Sequence, residues 1–467
     1  MGEIIVAPAT ATGGALAVVR LSGEGSIELC DSLFRGRKSL LEAASHTLHF
    51  GILTDGDEPV DEVVVALFRA PHSYTGEESV EISCHGSAYI QSRLLELAIR
   101  HGARLATAGE FTQRAFLNGR LDLSQAEAVG DLIAAESAAS HTMALRQLRG
   151  HFSRALDMLR DELLRLSALL ELELDFSEED VEFADREAIA RTMEEIEKEL
   201  KRLEESFRLG NALRQGVPVA IIGRPNAGKS TLLNRLTGEE RALVSEIAGT
   251  TRDTIEETIR IDGISFRFID TAGLHKTSDR LEQMGIERTL SAIEQARVVL
   301  HLTDATDPTA AEIPLLRPDQ TLLRVINKCD LIAQPAEGGE NHLAGSEIAA
   351  NPQSEAQEMP KGATRPIAIS AKSGAGVDQL RQMLRATIDT SELERGSVIV
   401  NNSRHLEALI HARESLQAAL RALAANLPTD LLAEELRQVA HHLGTITGTI
   451  TSDEILHSIF SSFCIGK

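Results

Sequence analysis

Gly223-Arg-Pro-Asn-Ala-Gly228-Lys229-Ser230 has the residue types and spacing of a loop that wraps phosphate. Three more groups follow in order: Asp270-Thr-Ala-Gly273, Asn327-Lys-Cys-Asp330 and Ser370-Ala-Lys372. The pair Thr250-Thr251 lies between the first and second. One such motif is weak; the ordered set, each at the end of an apolar run, specifies a GTP-binding switch. Gly223 and Gly228 let backbone N–H groups turn inward to phosphate oxygens. Lys229 brings a point charge to the β- and γ-phosphates, and the helix starting there adds its positive end. Ser230 and Thr251 offer hydroxyl ligands for Mg²⁺, Asp270 a carboxylate for its shell, and the Gly273 N–H a sensor of the γ-phosphate.

Base choice follows from Asp330, whose carboxylate accepts from both N1–H and the 2-amino group of guanine. Adenine lacks that donor pair, so GTP is favoured over ATP. The Ala371 N–H is expected to meet the guanine O6. The full nucleotide set comprises Asn226, Ala227, Gly228, Lys229, Ser230 and Thr231, then Ser245, Glu246, Ile247, Ala248, Gly249, Thr250 and Thr251. Asp270, Thr271, Ala272 and Gly273 continue it, with Asn327, Lys328, Cys329, Asp330, Ser370, Ala371 and Lys372.

The hydrolytic step lacks its usual glutamine: Leu274 follows Gly273 and cannot orient water. No arginine finger is evident. Asn226, inside the loop, carries an amide oxygen able to hold a monovalent cation beside the phosphates. K⁺ there would supply the charge an arginine otherwise brings. Glu282 is a carboxylate twelve residues beyond Asp270. On its own it reads as a solvated surface residue, with ordering of the attacking water as the sharper alternative.

These motifs need a scaffold. The 467-residue chain exceeds one core and implies several domains. Residues 1–120 alternate strand-like and helical runs, including Ile4–Ala7, Ala15–Val19, Val63–Phe68, Val80–Ser83 and a helix over Ala88–His101. Residues 121–213 contain long helices, with apolar positions Leu159, Leu163, Leu166, Leu169, Leu170 and Leu172. Residues 214–388 return to short buried strands separated by helices, the pattern of a largely parallel sheet with ligands past the strand ends. Residues 389–467 are helical again. The expected architecture is an α/β N-terminal domain and a long-helix domain into which a Ras-like P-loop GTPase domain is inserted. Residues 333–365, rich in small and polar types, read as a surface insertion.

Composition narrows the partners. With net charge -23, no Trp and two Tyr, the chain lacks a generic polyanion surface and stacking platforms. The 121–213 segment is itself acidic. Four scattered cysteines, Cys30, Cys84, Cys329 and Cys464, make neither a zinc site nor a disulfide framework and fit a reducing compartment. No signal peptide or spanning run is present in the sequence, so a cytoplasmic protein without a membrane partner is expected. Cys464 sits where a C-terminal lipidation box would, but the final Lys467 does not suit prenylation. A buried inert thiol and a reactive thiol both remain open for it.

The whole pattern resembles the tRNA-modification GTPase family called MnmE or TrmE. The resemblance rests on Val19-Arg20-Leu-Ser-Gly23, Ser73-Tyr-Thr-Gly-Glu-Glu-Ser-Val-Glu81 with His85-Gly86, and Gly109-Glu-Phe-Thr-Gln-Arg-Ala-Phe-Leu-Asn-Gly-Arg120. It continues through Ile247-Ala-Gly-Thr-Thr-Arg-Asp253, Gly285-Ile-Glu-Arg288 and the terminal Cys464-Ile-Gly-Lys467. The switch motifs are shared with ribosome-assembly GTPases; the N-terminal and terminal motifs are more specific.

The resemblance implies an N-terminal domain that forms a homodimer and binds tetrahydrofolate through Arg20, Glu81, Arg120 and Lys467. A carboxylate can bridge the pterin, and basic groups can pair the glutamate tail. Plain alternatives stand beside these roles: Arg120 paired with Asp122, and Glu81 as an ordinary surface residue. The family acts with a flavin-dependent partner, MnmG, in a hetero-oligomer that places a carboxymethylaminomethyl or aminomethyl group on C5 of a tRNA wobble uridine. The one-carbon unit comes from a methylene-folate, the bound folate being 5,10-methylene- or 5-formyl-tetrahydrofolate, and tRNA is held mostly by the partner. By the same resemblance K⁺ sits among Asn226, Ser245, Ile247 and Thr250, while Glu282, Lys229 and Cys464 take catalytic roles. A ribosome-assembly GTPase is the runner-up, but no basic RNA-binding appendage accompanies the switch. A membrane-trafficking switch lacks its lipid signals.

Overall fold

The computed structural model describes residues 3–175, 186–238, 257–269, 290–307, 315–332, 365–463 and 466. They divide into two compact units. One holds residues up to 134, 143–205 and 403 onward; the other holds 135–142 and 206–402.

The first unit begins with seven strands: β1 Ile5–Pro8, β2 Leu16–Ser22, β3 Phe34–Gly36, β4 Thr47–Asp55, β5 Glu58–Phe68, β6 Ser79–His85 and β7 Arg104–Leu105. Their order in the sheet is β3-β4-β5-β6-β2-β1-β7, antiparallel apart from the β1/β7 pair. Helices α1 Ser26–Leu33 and α2 Ala88–Arg100 supply Ile27, Leu94 and Leu97 to a core shared with Val6, Val19, Leu21, Val65 and Ile82. Alternation on β2 sends Val19 and Leu21 inward and leaves Arg20 on the other face, where it pairs in register with Glu81 of β6. The strands expected at Ile4–Ala7, Ala15–Val19, Val63–Phe68 and Val80–Ser83 are present; β3, β4 and β7 were not anticipated.

Helices α3 Glu110–Leu117 and α4 Leu123–Ile133 follow. Asp122 starts α4 with a reciprocal cap: its carboxylate accepts from Gln125 N, and the Gln125 side chain accepts from Asp122 N, both at 2.9 Å. Next come α5 Ala138–Leu148, α6 His151–Asp175 and α7 Arg186–Gln215. The buried stripe of α6 is Leu156, Leu159, Leu163, Leu166 and Leu170, at spacings of three and four. Leu169 and Leu172 are exposed, because consecutive apolar positions exceed the width of one helical face.

The second unit is built on β8 Val217–Ile222, β9 Glu257–Ile261, β10 Ile264–Phe268, β11 Val298–Asp304, β12 Thr321–Asn327 and β13 Ile367–Ala368. The order β13-β12-β11-β8-β10-β9 is parallel except for the β9/β10 hairpin. Helices α8 Lys229–Gly238, α9 Val377–Ala386 and the short α10 Ser391–Arg395 belong to it. The sheet core, with Val219, Phe266, Val298, Leu300, Leu302, Leu323 and Val325 buried, is why these strands read as unbroken apolar runs.

The chain returns to the first unit through α11 Ser403–Ala424, α12 Thr429–Thr447 and α13 Asp453–Phe460. Helix α12 packs on α11 and α6. Leu456 and Phe460 of α13 close a cluster with Leu123 and Ala126 of α4. No helix among the described residues is long and apolar enough to cross a membrane.

Candidate functional sites

Strand β8 ends at Ile222, and the phosphate loop runs from Gly223 into the first turn of α8. A side chain at Gly228 is excluded twice. Its φ is 96°, and a Cβ would lie 2.2 Å from Asn327 Nδ2. At Gly223 a Cβ would meet Leu302 O at 2.2 Å. Asn226 is exposed, with φ 63°, a conformation asparagine tolerates better than most residues. Lys229 folds its ammonium into the loop, donating to Gly223 O at 2.7 Å and Arg224 O at 3.0 Å. Burial pushes its pKa down, so a polyphosphate there would restore the charge's favourable environment.

The base side is built from β11, β12 and β13. Asn327 ends β12 and is 2% exposed. Its Nδ2 donates to Ala227 O at 2.8 Å and its Oδ1 accepts from Ala371 N at 2.9 Å. One amide thus ties the phosphate loop to the Ser370–Lys372 turn, and it takes up the Ala371 N–H that was expected to meet the guanine O6. Lys328 takes φ 68° and donates to Asp304 Oδ2 at 2.6 Å. Lys328, with the Thr306 backbone and hydroxyl, holds the Asp304 carboxyl down at about 2. Cys329 N donates to Ile369 O at 3.1 Å, and Asp330 stays exposed in a 3-10 turn over Cys329–Leu331. Arg235 of α8 donates to Ala371 O at 3.3 Å and Lys372 O at 2.5 Å. Asp304 and Arg235 escaped the sequence reading. Asp304 could have been found from its place at a strand's carboxyl end; Arg235 has no local signal.

Ser230 and Thr231 occupy the first turn of α8 beside Lys229. A hydroxyl next to a phosphate-facing loop is a fitting hard-oxygen donor for Mg²⁺. Ser245, Glu246, Ile247, Ala248, Gly249, Thr250, Thr251, Asp270, Thr271, Ala272, Gly273, Glu282, Cys464 and Lys467 lie outside the described residues, as does the 333–364 segment.

In the first unit, Arg20 Nε donates to Glu81 Oε1 at 2.9 Å, and a terminal guanidinium nitrogen lies 2.7 Å from the same oxygen. The guanidinium carbon is 5.6 Å from the ring centroids of both Tyr74 and Phe111. The Tyr74 hydroxyl sits 2.8 Å from Thr112 Oγ1, and burial pushes its pKa up. Glu81 is therefore no isolated surface carboxylate. Arg120 does not pair with Asp122, whose carboxylate is engaged in capping α4. Instead Arg120 and Tyr74 line one cavity of about 440 Å³.

The turn before β6 is held by a polar cluster. Ser22 Oγ is 2.7 Å from Thr75 Oγ1 and donates to Glu77 Oε2 at 3.1 Å, and Arg114 donates to Glu77 Oε2 at 2.9 Å. That network explains much of the Ser73–Glu81 motif as support for Tyr74. Gly466 also reaches this domain: a Cβ there would lie 2.2 Å from Pro8 O, at the end of β1. Cys30 and Cys84 are buried thiols, raised to about 12 and about 11 mainly by burial, which favours the protonated form.

A mostly parallel sheet, with a glycine-cradled phosphate loop locked to the Asn-Lys-Cys-Asp turn, defines a P-loop protein of the guanine-nucleotide class. The family model for the GTP-binding protein TrmE N-terminus matches residues 4–120, and that for the MnmE helical domain matches residues 123–464. The tRNA modification GTPase MnmE of Christiangramia forsetii is 48% identical over 484 residues, covering 100% of both chains. That of Bacteroides fragilis is 48% identical over 475 residues, covering 100% of this chain and 99% of its own. The chain belongs to the MnmE family.

Proposed function

We propose that this protein is a potassium-stimulated GTPase which, with the flavin-dependent MnmG, adds a carboxymethylaminomethyl or aminomethyl group to C5 of a tRNA wobble uridine. Its nucleotide half is a GTP hydrolase of the tRNA-modification kind, and full-length identity to the MnmE relatives supports it. The observation carrying that half is the Asn327 amide bonded to both Ala227 and Ala371. Those two bonds support a fixed spacing between the proposed phosphate and base subsites.

Lys229 pairs the β- and γ-phosphates. Ser230 and Thr251 hold Mg²⁺, which supplies charge to the phosphate oxygens. Asn226, with Ser245, Ile247 and Thr250, holds K⁺, and Glu282 orders the attacking water. In the N-terminal domain the folate's pterin meets Glu81 with Arg20 beside it, while Arg120 and Lys467 receive its acidic end. The Arg20–Glu81 pair, backed by Tyr74 and Phe111, supports this assignment. The contact of Gly466 with Pro8 supports a role for the tail, and Cys464 would add a thiol there. Domain limits follow the sequence reading: 1–120, 121–213, 214–388 and 389–467, with homodimerisation through the first. The ribosome-assembly reading has no observation in its favour.

The test is reconstitution with MnmG, tRNA, GTP and 5,10-methylene-tetrahydrofolate, in K⁺ or Na⁺. Modified wobble uridine should accumulate only with GTP, folate and K⁺ together. Full modification without folate would overturn the folate role; equal GTP turnover in both salts would overturn the cation role.

A further inference from the structure

Acidic residues outnumber Lys and Arg by 70 to 47, and several cations near the folate-side residues have acidic partners. Arg20 pairs with Glu81, Arg69 with Glu78, Arg104 with Glu110 and Arg114 with Glu77. Arg120 breaks that pattern. Its side chain has no hydrogen-bond or ion-pair partner among the described residues, and its nearest acid in sequence, Asp122, is committed to a helix cap.

The cavity that Arg120 lines is completed by His46, Phe68, His72, Ser73 and Tyr74. At about 440 Å³ it is of ligand size. None of the lining residues is a carboxylate. Ser73 is already used, its hydroxyl donating to Glu77 O at 2.5 Å. The imidazoles of His46 and His72 are exposed and, like Arg120, have no hydrogen-bond partner among the described residues. His46 is set by its backbone, with φ 61° and its N–H on Leu67 O, and its ring stands edge-on to Phe68. His72 is held by its N–H on Arg69 O. Three uncommitted nitrogen donors therefore share a carboxylate-free cavity. Tyr74 is its wall toward Arg20, which sits 5.6 Å from the ring centroid.

We infer that this cavity binds the γ-linked polyglutamyl tail of the folate, making the polyglutamylated form the ligand class of the site. The inference rests on the folate reading proposed above. A pterin at Glu81 leads its linker past Tyr74 to Arg120, which takes one carboxylate in a charge-assisted pair. Each further γ-linked residue adds an α-carboxylate on a flexible chain, and His46 and His72 are the donors left to receive them. Phe68 offers apolar surface to the methylenes between the charges. A phosphate ester would suit the charge but would not use the apolar wall.

The probe is 5-formyl-tetrahydrofolate as monoglutamate and as triglutamate, titrated calorimetrically into the full-length protein. The triglutamate is expected to bind about tenfold tighter. In the His46→Gln/His72→Gln protein the two forms should bind with the same constant. Equal affinities in the unaltered protein would overturn the inference without any variant, and so would a preference that survives the double change. Monoglutamate binding without a triglutamate gain leaves the folate reading standing and removes only the tail site. Absence of binding by either form removes the folate reading and this one with it. If the double change instead weakens tRNA binding while the triglutamate preference persists, the cavity serves phosphate and the inference fails.

Discussion

Asn327 donates its side-chain amide to the main-chain oxygen of Ala227 at 2.8 Å, a bond that spans a hundred residues of sequence. Beyond the base contact proposed for the Asn-Lys-Cys-Asp motif, its first residue fastens the Gly223–Ser230 loop. The other end of the same amide receives Ala371 N–H. Asn327→Ala would leave buried groups on both sides unpaired, a loss of about 2–3 kcal/mol. Nucleotide affinity should fall roughly 30- to 150-fold by that measure. GDP and GTP titrations would check it, and a fall in only one of the two would contradict a shared scaffold role.

Gly228→Ala should be more severe. The new Cβ would sit 2.2 Å from Asn327 Nδ2 at a φ of 96°, so both the backbone and the Asn327 bond must give. Loss of detectable nucleotide binding with a preserved far-ultraviolet circular dichroism spectrum is the expected outcome. Normal affinity would show that the loop opens without cost.

Asn226→Ala should erase the K⁺ stimulation of GTP turnover, since the amide oxygen is the proposed cation ligand. GDP affinity, which needs no cation at this point, is the control. Asn226 is exposed and takes φ 63°, so Asn226→Gly, which tolerates that backbone, separates loss of the amide oxygen from backbone strain. Retained K⁺ dependence would place the ion elsewhere. In parallel, Glu282→Ala should lower turnover with little change in GTP affinity, and Asp330→Asn should shift preference toward xanthosine nucleotides in a competition assay.

The first unit should lose stability in acid through one cluster. Glu127 of α4 accepts from Arg404 Nε at 2.9 Å, and its Oε2 lies 2.6 Å from Nε2 of the fully buried His405. Burial would raise the Glu127 carboxyl, but His405 and Arg404 overcome that and hold it at about 2. A carboxyl depressed in the folded state contributes stability above its unfolded value near 4.5. That contribution is lost as pH falls toward about 2. Glu127→Gln should cost about 1–3 kcal/mol at neutral pH, because the partly buried Arg404 loses its counter-charge while keeping the Thr445 and Ile446 carbonyls. It should also flatten the acid limb of the stability curve, as read by urea midpoints between pH 5 and 2.5. An unchanged limb would assign the acid sensitivity to other carboxylates.

Removing Cys464 to Lys467 should abolish wobble-uridine modification and leave basal GTP hydrolysis near its full rate. The nucleotide motifs all lie between Gly223 and Lys372, whereas Gly466 packs on Pro8 in the N-terminal sheet. Cys464→Ser then tests the thiol and Lys467→Ala the folate contact. Full modification by the truncated protein would mark the tail as a passive end.

Sequence alone determined the class of chemistry. Phosphate loops and base-reading turns are local: the proposed roles of Gly228, Lys229 and Asp330 fall within a few residues of a strand end, so their order along the chain already suggests them. The same holds for strand and helix periods, and for the family resemblance carried by Arg20, Glu81 and the terminal Cys-Ile-Gly-Lys. Tertiary structure decided what depends on long-range packing. Arg20 and Glu81 meet because β2 and β6 are neighbours, although 61 residues separate them. Asp304 reaches Lys328, and Arg235 reaches Lys372, only because parallel strands bring their carboxyl ends to one edge. The availability of Arg120 was equally hidden. Nearby Asp122 was a plausible partner by spacing, and a helix cap, a three-dimensional competitor for the same carboxylate, took it instead.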